Sequence, residues 1–307
     1  MIKMKYLLFI TIFFQTLTGS AQHADPIKAV VYYSVREALT KDIHATQLNL
    51  RDQQLFVIND SIVQLTRLRF LNLMRNNLEV WDNNLFALKK LEVLNVRENK
   101  LKYMPEQIGQ WKQLVQFDMA ANMITKLPAA IGKLKKLRFL HASQNLLISV
   151  DAAIGHCKKL EVLELQNNQL SHLPLTLHQL KDLRVLKIGY NQFYEVDPGW
   201  EGLSALQELN VEYNYIKQLP ESIGKLQNLR SLIVTNNQID SLPETITSLG
   251  NLQLLIISAN NISHLPHNIG KLQNLKTLIA LNNPLPAAEK ERVRQALPGC
   301  QVYFDKE

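Results

Sequence analysis

Asp118, His141 and Glu164 are the residues of this chain whose types and spacing most invite chemistry. They lie 23 residues apart, so an imidazole falls between two carboxylates if each intervening segment returns to the same place in the fold. Two flanking carboxylates favour the imidazolium form and raise the pKa of a histidine. Such a set permits three interpretations: a metal site, an acid–base catalyst, or a ladder of complementary charges.

The 23-residue spacing belongs to a repeat that runs through most of the chain. Around each unit the sequence reads apolar-x-apolar-x-x-Asn-x-apolar, as in residues 163–170. A fixed period in this range indicates one supersecondary unit stacked on copies of itself. The amide can donate to and accept from the backbone of its own and the neighbouring turn. We call these eleven residues the amide column: Gln53, Asn76, Asn99, Asn122, Asn145, Asn168, Asn191, Asn214, Asn237, Asn260 and Asn283.

The unit resembles the leucine-rich-repeat family, in its form ending Leu-Pro-x-x-Ile-Gly-x-Leu. That ending is intact in residues 127–134 and 219–226, and the resemblance covers about residues 45–285. It implies an α/β solenoid, a horseshoe of eleven repeats with a parallel β-sheet on its concave side. Terminal repeats expose the edge of their core, so the horseshoe should be capped at both ends. The resemblance names no ligand.

The N-terminal residues predict export. Lys3 and Lys5 make a basic start, residues 6–14 are almost wholly apolar, and residues 18–21 are small and suit cleavage. The apolar run is shorter than the roughly 20 residues that span a bilayer. We expect a signal peptide at 1–21 and a secreted, periplasmic or cell-surface protein without stable membrane insertion after cleavage. Retention of the segment as an anchor stays open.

Both ends of the repeats carry signals of capping elements. Ser34 and Glu37 have the spacing of a capping box, which predicts a short helix from Ser34 to about Lys41. A charged amphipathic helix is expected over 287–297 and a last strand over 301–304. The predicted regions are therefore an N-terminal cap at 22–44, leucine-rich repeats at 45–285 and a C-terminal cap at 286–307.

Charge and cysteine content narrow the class of protein. The net charge of +7 falls to +5 without Lys3 and Lys5, and the excess lies largely between repeats. Nucleic-acid binding would need a basic face interleaved with aromatics, and none is evident, so no nucleic-acid partner is predicted. Cys157 and Cys300 should lie about 29 Å apart by strand spacing, too far for a disulfide.

The outward position at the centre of each predicted strand forms a column with steps of about 4.8 Å. Amides come first, then alternating charges, then isoleucines: Asn49, Asn72, Asn95, Asp118, His141, Glu164, Lys187, Asn210, Ile233, Ile256 and Ile279. For the charged part we favour a charge ladder, defined as Asp118, His141, Glu164 and Lys187. A metal would lack an evident fourth ligand, and a catalyst would need a pocket that an open face does not promise.

Signatures of enzymes are missing from the sequence. It contains no His-Glu-x-x-His, no phosphate-binding glycine loop, no Gly-x-Ser-x-Gly and no paired-cysteine metal spacing. We therefore predict a protein that is not an enzyme, with no catalytic residue, metal or cofactor.

Three groups on the outward face suit recognition. Tyr190, Tyr213 and Tyr215, with Glu212 beside them, resemble interaction hot spots, where tyrosine is enriched. The isoleucines Ile233, Ile256 and Ile279 form either a contact patch or a run chosen for β-propensity. Arg51, Arg75 and Arg97 are expected to form a basic end.

The repeat pattern is broken at Trp81, Trp111 and Trp200, and we interpret these three residues as compensated core packing.

The sequence thus predicts an exported protein-binding module that recognises another protein on its concave sheet. The tyrosines with Glu212 would be its anchors, the charge ladder would set orientation, and the isoleucines would add apolar contact. Two alternatives stay open: self-association through the isoleucine end as a structural surface protein, and carbohydrate binding. The ligand's identity, the binding face and the oligomeric state are not determined by sequence.

Overall fold

The computed structural model describes residues 29–196 and 199–305, so the predicted signal peptide lies outside the described residues. Thirteen parallel strands form one sheet. They are β1 Val31–Tyr32, β2 Gln47–Asn49, β3 Phe70–Asn72, β4 Val93–Asn95, β5 Gln116–Asp118, β7 Phe139–His141, β9 Val162–Glu164, β10 Val185–Lys187, β11 Glu208–Asn210, β12 Ser231–Ile233, β13 Leu254–Ile256, β14 Thr277–Ile279 and β15 Gln301–Tyr303. Two further strands, β6 Lys126–Leu127 and β8 Ser149–Val150, pair with each other in a separate small sheet.

Short 3₁₀ helices return the chain from one strand to the next on the opposite side. In the described ranges they are Asp60–Gln64, Asn83–Ala87, Glu106–Gln110, Ala129–Lys133, Ala152–His156, Leu175–Gln179, Trp200–Gly202, Glu221–Lys225, Glu244–Ser248 and Ile269–Lys271. Two α-helices lie at the ends, α1 Val35–Lys41 and α2 Ala287–Ala296. The eleven strands β2 to β14 of the large sheet match the predicted repeats, which confirms the horseshoe solenoid.

The amide column holds the turns together as expected. Asn168 donates from Nδ2 to the carbonyls of Leu165 at 2.8 Å and Ala142 at 3.0 Å, and its Oδ1 accepts from the N–H of Leu147 at 3.0 Å. Each amide thus bonds its own turn and the preceding one, so that buried polar groups are satisfied in pairs of repeats. Gln53 reaches the carbonyl of Tyr33 at 2.6 Å instead.

The core is a continuous stack of leucine-type side chains, and the tryptophans belong to it. Trp81, Trp111 and Trp200 are all buried. Trp111 packs edge-on against Phe117 with centroids 6.0 Å apart, and its Nε1 donates to the carbonyl of Leu85 at 3.0 Å. The three rings therefore belong to the core, as the sequence interpretation places them.

Helices cover both ends of the stack. Helix α1 begins after Ser34, whose side chain accepts from the N–H of Glu37, as the capping-box spacing predicts. Helix α2 is tied to the tenth repeat by Glu289, which accepts from the N–H of Leu265 at 2.7 Å. Strand β15 then pairs with β14. These elements close the core edge at each end, since Ala38 and Val293 are fully buried.

Both cysteines are free, as the sequence predicts. Cys157 is buried and donates to the carbonyl of Ile131 at 3.2 Å. Burial raises the pKa of its thiol to about 11. In the described part of the chain, no helix combines the length and the apolar character needed to cross a membrane.

Candidate partner-binding surface

The strand register confirms the predicted column on the concave face. Asp118 pairs with His141, His141 with Glu164, and Glu164 with Lys187 across successive strands. The column is less open than expected, because Asp118 is only 2% exposed and His141 6%. Parallel strands stand about 4.8 Å apart, and side chains of neighbouring strands cover one another at that spacing.

Within the charge ladder, Glu164 is the central partner. Its carboxylate lies 2.7 Å from Nδ1 of His141 and 3.2 Å from Nζ of Lys187. Lys187 also lies 3.7 Å from Glu208, a carboxylate outside the charge ladder as the sequence defined it. Glu208 lies in the adjacent outward column. The sequence could have revealed its contact with Lys187 only if both outward columns had been compared side by side. Asp118 accepts from the N–H of Ala120 at 3.0 Å.

These contacts shift the pKa values in opposite directions. Burial alone would raise the pKa of Glu164, but the hydrogen bond and charge of His141 and the charge of Lys187 lower it to about 2. Burial would lower the pKa of His141, yet the hydrogen bond and charge of Glu164 raise it above its ordinary value, as predicted. Burial raises the pKa values of Asp118 and Glu208. Glu164 is therefore the carboxylate of this network whose ionised form is stabilised most.

The isoleucines are brought together, but they present little surface. Ile233, Ile256 and Ile279 form a small apolar cluster, and the most open of them, Ile279, is only 9% exposed. Leu254, Leu281 and Tyr303 pack against the cluster and cover its sides. The expected contact patch is therefore largely closed, because adjacent apolar side chains on parallel strands bury each other first.

The predicted tyrosine group divides into two stacked pairs. Tyr190 and Tyr213 stack with ring centroids 4.1 Å apart and planes inclined by 13°. Tyr215 stacks instead on Tyr194, at 5.4 Å and 22°. The sequence did not point to Tyr194, which lies in the preceding repeat, 21 residues before Tyr215. All four rings are exposed, and both members of the first pair are 43% exposed.

The first pair stands on an unusual backbone position. The residue before each member of the amide column has a positive φ: Asp52, Arg75, Glu98, Ala121, Gln144, Asn167, Tyr190, Tyr213, Asn236, Ala259 and Asn282. A bulky side chain with positive φ is an outlier that signals a turn or strain. None of these residues is β-branched, which fits the steric cost of that conformation. Two consecutive repeats nevertheless place tyrosine there.

Glu212 lies beside the stacked pair. It accepts from Nδ2 of Asn210 at 3.0 Å, and its N–H donates to Oδ1 of the same residue at 2.9 Å. A Cβ at Gly189 would come within 2.9 Å of the Glu212 side chain, so the glycine leaves room for it. Burial, the hydrogen bond with Tyr213 and the charge of Glu212 raise the pKa of Tyr190 to about 12.

The arginines of the expected basic end pair with carboxylates. Arg51 lies 2.8 Å from Asp52, and Arg75 and Arg97 share Glu98 at 2.7 and 3.1 Å. Three guanidinium groups thus lie beside two carboxylates, so the basic end that the sequence predicts keeps a smaller excess of positive charge. Among the described residues, no three His, Cys, Asp or Glu side chains are grouped in a way that could hold a metal ion.

The repeat, the sheet and the amide column define the fold as a leucine-rich-repeat solenoid. The family model described as "Leucine-rich repeat region" matches residues 198–290. Comparison with curated proteins finds no match.

Solved structures share the fold. A leucine-rich-repeat protein of Leptospira interrogans is 25% identical, with 89% of this chain and 99% of that one covered and a TM-score of 0.50. Internalin InlF of Listeria monocytogenes is 20% identical over 89% of both chains, with a TM-score of 0.70. The ectodomain of the Arabidopsis thaliana membrane receptor kinase GASSHO1/SCHENGEN3 was solved in complex with Casparian strip integrity factor 2. It is 28% identical over 88% of this chain and 37% of that one, with a TM-score of 0.64.

Proposed function

We propose that this chain is an exported, non-enzymatic module that binds a partner protein, with Tyr190 and Tyr213 as the anchors. The observation that carries the proposal is their placement. Two large rings occupy consecutive turn positions of positive φ, stacked and exposed. Strained residues cluster at functional sites, where the strain has a role. Recognition is a role that tyrosine fits, because it offers a large rigid area and a hydroxyl.

The surroundings of the pair suit a protein partner. Tyr194 and Tyr215 extend the aromatic area, and Glu212 adds a carboxylate at its edge. Lys187 is the most open member of the charge ladder, with 27% of its side chain exposed. The footprint is thus narrower than the whole concave sheet: it centres on the exits of β10 and β11, and the isoleucines contribute little.

The similar structures support a binding role without naming a ligand for this chain. The Arabidopsis ectodomain holds a protein factor in its solved complex. Export rests on the N-terminal pattern of a basic start, an apolar run and small residues. Sequencing the N-terminus of the protein recovered from the culture medium or cell surface would test it; retention of Met1 on protein inside the cell would contradict it.

The binding test uses a variant that removes both rings and preserves the backbone conformation of the two turns. Asn167 and Asn236 occupy the same turn position in the flanking repeats, so Tyr190→Asn/Tyr213→Asn replaces both rings with a residue that the position tolerates. Immobilised full-length chain and this variant would be exposed to secreted and surface proteins, with cross-linking to locate contacts. Leu175→Asn, at an exposed site in a 3₁₀ helix, is the matched control.

We expect a protein that the unmodified chain and the Leu175 control retain and that the double variant loses, with cross-links near β10 and β11. Retention by all three chains would sink the proposal. If the chain only self-associates, the structural alternative is favoured. If it retains only glycans, the carbohydrate alternative is favoured.

A further inference from the structure

Exposed apolar side chains gather along one flank of the solenoid, outside the concave face. They lie one, three or four residues after the amide-column residue of their repeat, and we call them the flank strip: Phe56, Val57, Val80, Tyr103, Met123, Leu146 and Ile148. Their exposure runs from 43% for Leu146 to 71% for Val57. Contiguous exposed apolar surface marks interaction sites.

The backbone holds the strip in a row. Met123 donates its N–H to the carbonyl of Leu101 at 2.8 Å, and Leu146 donates to that of Ile124 at 3.0 Å. The paired strands β6 and β8 continue the same ladder beside them. Successive side chains of the strip are therefore about one strand spacing, roughly 4.8 Å, apart along the solenoid axis.

The repeat itself does not require this surface. The equivalent positions of the ninth and tenth repeats are all polar: Gln238, Asp240, Ser241, Asn261, Ser263 and His264. Asn261 donates its N–H to the carbonyl of Ile239 at 2.9 Å, the same bond between repeats that Met123 makes with Leu101. Backbone pairing alone therefore does not select apolar residues in the first five repeats.

Basic side chains border the strip. Lys100, Lys102 and Lys126 occupy the same flank positions in the third and fourth repeats. Lys102 lies 3.4 Å from Glu79. Lys100 and Lys126 form no ion pair with the carboxylates of the described ranges. The centre of the strip therefore has unpaired positive charge beside apolar surface, which is complementary to an apolar stripe bordered by carboxylates.

We infer that the flank strip docks an acidic amphipathic helix of a partner protein, laid along the solenoid axis. A helix presents one stripe residue per turn, about every 5.4 Å, close to the strand spacing. An extended strand presents same-face residues about every 6.7 Å, which soon falls out of step. Four steps of strand spacing cover about 19 Å, or roughly 13 helical residues. This rests on the proposed function only in taking a partner protein, and it uses a separate surface.

The test uses a labelled synthetic peptide as probe, of about 18 residues with leucine at a and d and glutamate beside them. Fluorescence anisotropy would compare it with a lysine version and with a version broken by proline. We expect the glutamate helix to bind, and the other two peptides to bind at least about tenfold more weakly. Absence of binding by the glutamate helix overturns the inference.

Variants then locate the probe. Val80→Ser/Tyr103→Ser/Ile148→Ser should weaken binding by about tenfold or more, whereas Leu175→Ser and Tyr190→Asn/Tyr213→Asn should not. Equal loss with Leu175→Ser would overturn the assignment. Lys100→Glu/Lys126→Glu provides a second variant that keeps the strip: it should prefer the lysine peptide, and an unchanged preference for glutamate would contradict the charge argument.

Other occupants give distinct results. If sedimentation shows a dimer and the triple serine variant is a monomer, the strip binds a second copy of this chain. That result would overturn the inference. The chain could instead bind phosphatidylcholine–phosphatidylglycerol vesicles through the strip and fail to bind the glutamate helix. That result would also overturn the inference and would identify a membrane as the occupant. Because Tyr190 and Tyr213 enter only as controls, failure here and failure of the proposed function are separate results.

Discussion

Tyr190 and Tyr213 stack face to face at 4.1 Å although both have positive φ, 55° and 51°. The left-handed region costs an ordinary L-residue about 1–2 kcal/mol, and asparagine is among the residues that tolerate it best. The neighbouring repeats use Asn167 and Asn236 at this position. The pair therefore combines an exposed aromatic surface with a backbone that a smaller residue would adopt more readily.

Replacing both rings should stabilise the fold. Tyr190→Asn/Tyr213→Asn relieves two strained positions and loses one stack worth about 0.5–1.5 kcal/mol. We expect the free energy of unfolding to rise by about 1 kcal/mol, measured by urea denaturation followed by circular dichroism. Tyr194→Asn/Tyr215→Asn is the control, because it also loses a stack but neither residue has positive φ. An equal fall in both double variants would contradict the strain argument.

The loss of stability on replacing a member of the amide column should depend strongly on whether that member is buried. Asn168→Leu leaves the carbonyls of Ala142 and Leu165 and the N–H of Leu147 without their side-chain partner. Each stranded buried group costs about 1–3 kcal/mol, so we expect a loss of at least about 3 kcal/mol in denaturation experiments. Gln53→Leu, at the exposed first turn, should cost about 1 kcal/mol. Similar losses at both sites would argue against burial as the cause.

The charge ladder should make stability fall as the solution becomes basic. The folded-state pKa of His141 is raised, so its imidazolium contributes fully below the unfolded pKa of about 6.5. That contribution is lost as pH rises through the folded value. The free energy of unfolding of the native chain should therefore decline above about pH 6.5 more steeply than that of His141→Gln. Parallel pH profiles would contradict this prediction.

The same ladder should lose stability in acid through Glu164. Its folded pKa of about 2 lies below the ordinary 4.5, so its contribution is present above pH 4.5 and lost as pH falls toward 2. In Glu164→Gln this acid-side loss should shrink, and the pKa of His141, followed by NMR, should fall because its main charged partner is gone. A His141 pKa that does not move would show that Glu164 is not that partner.

Close packing between repeats should make an alanine substitution costly at Gly132 and harmless at Gly250. A Cβ at Gly132 would lie 2.5 Å from the carbonyl oxygen of Ala153, whereas nothing lies within 4 Å of one at Gly250. Gly132→Ala should therefore lower the free energy of unfolding by about 1–3 kcal/mol through overpacking. Gly250→Ala should be neutral or gain up to about 1 kcal/mol. Thermal denaturation of the two variants checks this, and a tolerated Gly132→Ala would show that adjacent repeats slide apart easily.

Much of the fold could be predicted because it is periodic. The spacing of Asn168 and its equivalents sets the strand register, since an amide that bonds two adjacent turns allows one alignment of them. The capping residue Ser34 marked the start of α1, and Trp111 was interpreted as a core residue, which its burial supports. The outward column around His141 followed from the register alone.

Contacts across repeats decided the rest. Sequence order places Tyr215 beside Tyr213, but the ring stacks on Tyr194 because it projects from the flank after the turn. Arg75 and Arg97 share the single carboxylate of Glu98, and Ile256 is covered by neighbours on parallel strands.

The sequence by itself determined which residues share a column, because the 23-residue period and the inward leucines admit one register. Only the tertiary structure decided which members of a column reach solvent. Exposure depends on the size and direction of side chains one strand away, as the buried His141 and the exposed Tyr190 show. A period describes where residues stack, and burial is a property of the assembled stack.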